Sequence, residues 1–214
     1  MVDVLHIGLC RLLDEHLLAQ ERGRRAVSLL ASGAAFEAWL AFEMRLLAEN
    51  NRGQLELDDV ISHNGARVPR YFICNEQMKV DFSVIDAVDS AVELAIEFKL
   101  IHNNKNWKHQ ADAVWNDLFP TRESKASTLP RRGRFALVGV VGLVYEDPKE
   151  WSYAGQIGDI EKWLHDLDDY LLPANGFADR IVERPWAGTK LAVLDPYLRP
   201  GAGSFFQLQM LVGR

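Results

Sequence analysis

Two carboxylates and one amine occur close together in the segment that spans residues 79–100. Asp81 belongs to the first apolar run of this segment, and Glu97 and Lys99 belong to the second, with Phe98 between them. Two carboxylates can hold Mg²⁺ through oxygen and leave positions open for water and phosphate. Such a metal activates the attacking water, and a lysine can orient that water or offset the charge of the transition state. These residue types predict metal-dependent hydrolysis of phosphodiester bonds.

Strand alternation explains how the segment would present these groups. One face of the strand at 92–100 carries Val92, Leu94, Ile96, Phe98 and Leu100, and the other carries Glu93, Ala95, Glu97 and Lys99. Residues 79–86 form a second strand, and a turn at 86–90 between the two places Asp81 beside Glu97. An ordinary surface ion pair is the alternative. A strand so apolar on its other face favours the interior of a sheet, where charges are costly unless they are paired or bind a metal.

A third carboxylate, Glu37, lies in the strongest helical pattern of the chain, residues 26–49. The apolar residues Leu30, Ala34, Ala41, Met44 and Leu47 recur there at intervals of three and four, or multiples of them. Glu37 falls on this apolar stripe, where an unpaired glutamate is costly. The alternatives are that Glu37 lies at the margin of the stripe or that Glu43 takes its role.

The remaining patterns predict an α/β fold. Further helices are expected at residues 3–21, 107–118 and 159–172, and strands at 70–74, 79–86, 92–101, 134–145, near 189–194 and at 204–212. Residues 134–145 form an almost continuous apolar run, which is typical of a strand buried on both faces. The order of elements predicts a single domain, residues 1–214, in which a mixed central β-sheet is flanked by helices and residues 1–25 form an N-terminal helical extension.

Asp81, followed after fifteen residues by Glu97-Phe98-Lys99, resembles the D…(D/E)-x-K motif of the PD-(D/E)xK nucleases. The resemblance implies the restriction-endonuclease-like fold of that family, with an αβββαβ core over residues 26–145 and a C-terminal helix and strands over 146–214. Val80 departs from the pattern, because it stands where the motif has its proline.

The resemblance also implies roles for individual residues. Asp81, Glu97 and Glu37 would bind Mg²⁺ or Mn²⁺, the carbonyl oxygen of Phe98 would add a ligand, and Lys99 would be catalytic together with Glu97 and Asp81. The implied function is a metal-dependent endonuclease that acts on DNA, with RNA less expected. The alternatives are a catalytically silent relative that serves as a binding or assembly module, and a hydrolase of RNA or of a small phosphorylated molecule.

Basic and polar residues that follow the second strand of the motif are candidates for contacts with nucleic acid. Trp107 lies between two of these basic residues, Lys105 and Lys108, and could stack on bases. Some members of the family have a Gln-x-x-x-Tyr box on the next helix, although Val114 stands here at the tyrosine position. Solvated loop and helix surfaces are the alternative for the charged candidates. The nucleic-acid-binding candidates are Lys105, Lys108 and Gln110, which follow this strand, and Arg131 and Arg132, which belong to the most basic loop of the chain, before residues 134–145.

The composition restricts the class of protein. The net charge of −6 argues against a protein that coats nucleic acid over its whole surface. No apolar run approaches the roughly 20 residues that cross a bilayer, and the N-terminal residues lack the basic start of a signal peptide. Cys10 and Cys74 share no motif and predict free thiols in a reducing compartment. We therefore expect a cytoplasmic protein with no membrane partner, and leave a homodimer or a partner protein open.

Overall fold

Helices and strands alternate along the chain in the computed structural model, which describes residues 2–23, 26, 36–77, 80–120, 134–144, 157–174, 180–192 and 203–213. The helices are α1 (Val2–Leu13), α2 (Phe36–Asn50), α3 (Trp107–Leu118) and α4 (Ile160–Leu171), and a π-helical turn, Asp14–Leu18, continues α1. The strands are β1 (Val60–His63), β2 (Ala66–Pro69), β3 (Tyr71–Gln77), β4 (Val80–Asp86), β5 (Val92–His102), β6 (Arg134–Val144), β7 (Val182–Ala187), β8 (Leu191–Ala192) and β9 (Gly203–Gly213). A helix is present at each expected place, although residues 27–35 lie outside the described residues.

Strands β3 to β9 form one mixed sheet. Its order is β3-β4-β5-β6-β9-β7, and β8 also pairs with β9. Strands β5 and β6 are parallel, whereas the other neighbouring strands are antiparallel. The connection from β5 to β6 contains α3, as expected for a crossover between parallel strands. The predicted α/β class, with a mixed sheet flanked by helices and an N-terminal helix, is confirmed.

The helices cover both faces of the sheet. Helices α1 and α2 share one hydrophobic core with one sheet face, and its buried members include Leu9, Met44 and Phe98. Helices α3 and α4 share a second core with the other face, and its buried members include Val114, Val138 and Trp163. Helix α1 is therefore part of the packed molecule, since its leucines belong to the same core as the central strands.

Strand β6 is buried on both faces, as its apolar run predicts. Phe135 and Leu137 belong to the core beneath α1 and α2, and Ala136 and Val138 belong to the core beneath α3 and α4. Gly139 follows in this alternation at a point of close approach, because a Cβ there would lie 2.6 Å from a methyl carbon of Leu100. The strand thus joins the two cores through the middle of the sheet.

A bulge between β4 and β5 changes one of the expected faces. Val84 pairs with Leu94, but Ile85 pairs with Val92, so β5 carries one extra residue there. Val92 consequently packs with Ala95 in a small separate cluster. The expectation that Val92 shares the apolar face of Leu94 is wrong, because an extra residue turns the preceding side chains to the other face.

Strands β1 and β2 form a separate hairpin in a region where the sequence analysis predicted no strand. Its turn residues, Asn64 and Gly65, have φ values of 50° and 79°. Positive φ at both positions is the geometry of a type I′ turn, for which Asn-Gly is the preferred pair. The flanking residues are mostly exposed, so the hydrophobic alternation that usually reveals a strand is missing.

Strand β7 was not expected, and the strand expected near 189–194 is reduced to β8 within the described residues. Pro185 lies inside β7, and a proline argues against a strand in the middle of a sheet. β7 lies at the edge of the sheet, where the missing N–H of proline is tolerated.

No helix in the described ranges has the length and apolar character needed to span a bilayer. Cys10 is buried, Cys74 is half-buried, and the two form no disulfide.

Candidate active site

Strands β4 and β5 separate before β5 ends, and the candidate residues lie where they separate. Phe82 and Ile96 form the last pair of the β4–β5 ladder, so Asp81 and Glu97 occupy the next facing positions. Asp81 Oδ2 accepts a hydrogen bond from the backbone N–H of Phe98 at 2.7 Å. The Asp81 carboxylate therefore takes the place of a ladder partner for β5, and the expected approach of Asp81 to Glu97 is confirmed.

The turn between β4 and β5 sets this register. Asp86 Oδ1 accepts the N–H of Val88, and Asp89 Oδ1 accepts the N–H of Ala91, each at 2.9 Å. Arg70 donates from Nε and Nη2 to Asp86 Oδ2 at 3.0 and 2.8 Å. Charge-assisted hydrogen bonds of this kind are among the stronger ones, so the far end of the hairpin is firmly held.

Glu97 is half-buried beside Asp81, and its carboxyl group is strongly perturbed. The pKa of Glu97 is raised to about 8, and burial is the largest cause. The negative charges of Asp81 and Asp117 and a hydrogen bond with Asp81 also raise this pKa, whereas the charge of Lys99 lowers it. A hydrogen bond between two carboxyl groups requires a shared proton. Without a cation, the neutral form of Glu97 is therefore favoured near neutral pH.

Glu37 joins this group from the first turn of α2, on the other side of the sheet from α3. Burial raises the pKa of Glu37, and the charges of Asp81 and Asp117 raise it further, whereas Lys99 and hydrogen bonding from the backbone of Leu100 lower it. Of the two glutamates considered on this helix, Glu37 is thus the one that reaches the cluster.

Lys99 provides the positive charge of the cluster. Its Nζ donates a hydrogen bond to the carbonyl oxygen of Phe98 at 3.0 Å, so the predicted metal-ligating carbonyl is in contact with the amine. Burial of Lys99 opposes its charge, but the charges of Asp117, Glu37, Asp81 and Glu97 outweigh burial and raise the pKa of Lys99. We name this group of five ionisable residues the carboxylate cluster: Glu37, Asp81, Glu97, Lys99 and Asp117.

Asp117 is the member of the carboxylate cluster that the sequence analysis missed. Its Oδ2 lies 3.2 Å from Lys99 Nζ. Burial raises the pKa of Asp117, Lys99 lowers it, and the charge of Asp81 raises it. The signal that could have pointed to Asp117 is its place in the last turn of α3, because an acid there is opposed by the helix dipole.

Beyond the last residue pair of β4 and β5, side chains accept the hydrogen bonds of the backbone N–H groups on the open edge of β5. The N–H of Phe98 donates to Asp81, and the N–H of His102 donates to Gln110 Oε1 at 2.9 Å. Leu100 lies between them and provides the backbone hydrogen bonding that acts on Glu37. Side chains from β4, α3 and α2, and not the backbone of a neighbouring strand, therefore supply the acceptors for this edge.

The oxygen atoms of the carboxylate cluster and of the adjacent Phe98 carbonyl are chemically suitable ligands for a divalent cation. Asp81, Glu97 and Glu37 offer carboxylate oxygens and Phe98 offers a carbonyl oxygen, which are the ligands that Mg²⁺ and Mn²⁺ prefer. A cation would relieve the repulsion that raises the pKa of Glu97. Among the described residues, however, no three His, Cys, Asp or Glu side chains are arranged as a ready-made ligand set.

The candidates for contacts with nucleic acid are found in different settings. Lys105 is exposed in the turn before α3, and Gln110 contacts the backbone of β5. Lys108 is exposed, with Nζ 5.5 Å from the centre of the Trp107 ring. The expectation that Trp107 stacks on bases is wrong, because its ring is buried in the core beneath α3 and α4.

Arg131 and Arg132, the basic-loop candidates, lie outside the described residues.

The chain matches no model of a known protein family, no curated protein and no solved structure.

Proposed function

We propose that this protein is a Mg²⁺- or Mn²⁺-dependent nuclease that hydrolyses phosphodiester bonds of DNA at the carboxylate cluster. The observation that carries the proposal is the meeting of Asp81, Glu97 and Lys99 at the point where β4 leaves β5, with Glu37 added from α2. Four carboxylates around one amine in a half-buried place are costly to maintain. Such an arrangement is favoured at sites that carry chemistry.

The side chains divide the work of hydrolysis between them. Asp81, Glu97 and Glu37 would hold the metal, with the carbonyl oxygen of Phe98 as a further ligand. When bound, the metal would activate a water and stabilise negative charge on the phosphoryl oxygens. Lys99 would contact the attacking water or the phosphate from its place beside the Phe98 carbonyl, 3.0 Å away, and would offset charge in the transition state.

The order of elements supports a restriction-endonuclease-like core within this α/β fold. Helix α2, strands β3 to β5, helix α3 and strand β6 follow one another as the resemblance to the PD-(D/E)xK nucleases implies. In that core the metal ligands lie on the second and third strands of the meander, which correspond to β4 and β5. The resemblance to these nucleases also makes DNA the proposed substrate. A homodimer or a partner protein would be needed if both strands are cut in a single binding event.

A specific observation favours a second candidate, the catalytically silent binding or assembly module. Lys99 is engaged both by Phe98 and by Asp117, and the described carboxylates form no completed ligand set. An internal ion pair of this kind can serve the structure alone.

Cleavage of supercoiled plasmid separates the two candidates. We expect nicking by the purified protein with Mg²⁺ or Mn²⁺, its loss with EDTA, and a loss of about a hundredfold or more in Lys99→Ala, because proton-transfer and charge-stabilising groups contribute at least that much. Lys162→Ala is the matched control, since Lys162 is an exposed lysine on α4. Parallel reactions with single-stranded DNA and RNA define the substrate.

Two results would favour the silent module. One is the absence of nicking with either metal, together with no heat of Mn²⁺ binding by calorimetry. The other is nicking that persists unchanged in Lys99→Ala, which would indicate a contaminating nuclease.

A further inference from the structure

Lys99 is held at two points, and only one of them belongs to its own strand. Its Nζ donates to the carbonyl oxygen of Phe98 at 3.0 Å and lies 3.2 Å from Asp117 Oδ2 on α3. The exposed fractions of the two side chains are 23% and 29%. Because both are largely shielded from water, their attraction is screened much less than that of a surface ion pair.

Asp117 is poorly placed for a carboxylate unless it serves Lys99. It lies in the last turn of α3, next to the final residue, Leu118, where the helix dipole disfavours negative charge. The charge of Asp81 also acts against it. Within the described part of the chain, Lys99 is the partner with which Asp117 forms an ion pair.

The contacts of Asp117 differ from those of the proposed metal ligands. Asp81 accepts a hydrogen bond from the backbone of β5, and hydrogen bonding from the same strand acts on Glu37. Asp117 instead pairs with the amine of Lys99. Its carboxylate can therefore act on the reaction through Lys99.

We propose that Asp117 is the positioning residue of Lys99. Its carboxylate holds the ammonium against the Phe98 carbonyl, on the α3 side of the sheet, and so directs the amine to the proposed site of the phosphodiester. This inference rests on the proposed nuclease function, because the positioning of Lys99 matters for catalysis only if Lys99 takes part in it.

Steady-state kinetics test the role in catalysis. We expect Asp117→Asn to lower kcat for plasmid nicking by roughly tenfold to a hundredfold, as for a misplaced catalytic group, with KM changed less than about twofold. Asp117→Glu, which keeps the charge, should recover part of the loss. Asp112→Asn is the control, because it removes a charge at an exposed position of the same helix. The side chain of Asp112 accepts a hydrogen bond from Tyr170.

Chemical labelling tests whether Asp117 engages the amine of Lys99, and it needs no catalytic activity. The rate at which acetic anhydride acylates Lys99, measured by mass spectrometry in the absence of DNA, is compared with the rate at exposed Lys105 in the same molecule. Removal of the ion pair frees the amine, so we expect Asp117→Asn to raise the Lys99 rate severalfold and leave the Lys105 rate unchanged. Circular dichroism verifies that each variant is folded, and Asp117→Glu keeps the test informative if Asp117→Asn does not fold.

The outcomes distinguish this inference from the proposed function. Suppose that the wild type cuts DNA. A normal kcat in Asp117→Asn, a lowered KM as the only change, or an unchanged Lys99 labelling rate would each overturn the positioning role and leave the nuclease function standing. If the wild type does not cut DNA, the nuclease function fails, and the labelling rate alone decides whether Asp117 holds the amine of Lys99 in the ion pair. Faster labelling in Asp117→Asn supports the positioning, and equal labelling overturns it.

Discussion

The side chains of the carboxylate cluster repel one another more than they attract. Glu97 shows this most directly, because burial and the neighbouring charges raise its pKa to about 8. Lys99 offsets one negative charge, and its own pKa is raised by the acids around it despite its burial. One ammonium cannot neutralise four carboxylates, so protons or cations complete the balance at this place.

The protonation of Glu97 has a consequence for stability. Folded Glu97 keeps its proton up to about pH 8, whereas an ordinary glutamate loses it near 4.5. The folded state therefore binds more protons between these values, and the contribution of Glu97 to the free energy of unfolding falls as the pH rises from 5 to 8. Glu97→Gln stays neutral, so at pH 8 we expect it to be more stable than the wild type by on the order of 1 kcal/mol, after discounting for solvent screening.

Urea unfolding at pH 5 and pH 8 without divalent cations measures this difference. Glu161→Gln, an exposed substitution on α4, is the control and should follow the wild type. Identical pH dependence in Glu97→Gln and the wild type would contradict the described electrostatics of Glu97.

At the scale of elements, the unpaired edge of β5 is the distinctive feature. Strand β5 pairs with β6 as far as His102 but with β4 only as far as Ile96. The amides of Phe98 and His102 on the open side donate to Asp81 and Gln110. A ladder edge that side chains satisfy exposes functional groups and still meets the hydrogen-bonding needs of the backbone.

Gln110→Ala tests this account of the edge. It leaves the His102 amide without its acceptor, and an unsatisfied, partly buried amide costs about 1–3 kcal/mol. In hydrogen exchange monitored by NMR, we expect the His102 amide to exchange faster in Gln110→Ala while the Phe98 amide stays protected. Asp81→Asn would serve less well, because an asparagine oxygen can still accept the bond. Equal exchange at His102 in the variant and the wild type would show that Gln110 does not hold this amide.

The β4–β5 hairpin could be predicted from the sequence because its information is local. The turn acids Asp86 and Asp89 and the strand alternation around Glu97 determine the register within about twenty residues. The position of Asp117 could not be predicted in this way. Its contact with Lys99 depends on how α3 docks on the sheet, and helical periodicity alone places Asp117 beside the buried stripe that contains Val114.

Edge elements were predicted less well than central ones. Strand β6 is evident from its apolar run, since both of its faces are buried. Strand β7 contains Pro185 and pairs on one side, and the β1–β2 hairpin belongs to neither core. Where burial is slight, the hydrophobic pattern that identifies a strand is weak.

At the scale of the whole molecule, two helical layers enclose the sheet from opposite faces. The core beneath α1 and α2 includes the first helix as fully as the second, with Leu9 and Leu13 almost completely buried. An N-terminal helix that is packed in this way contributes to the stability of the entire domain.

Leu9→Ala measures that contribution. We expect it to lower the free energy of unfolding by about 2–5 kcal/mol, because it removes buried methyl groups and leaves a cavity. Arg11→Ala, at an exposed position of the same helix, should change stability by less than about 0.5 kcal/mol. Guanidinium unfolding curves of the two variants make the comparison. A small effect of Leu9→Ala would contradict the packing of α1 into the core that it shares with α2.

Glu37 and Asp117 approach β5 from opposite layers, the first from α2 and the second from α3. Neither layer alone can therefore assemble the complete set of charges, even when the hairpin that bears Asp81 and Glu97 has already formed. A chain in which one of these layers has not docked would lack one of these charges at β5. For the nuclease proposed above, full activity would then require both helical layers to be packed on the sheet, so partly folded forms of the chain would cut DNA slowly or not at all.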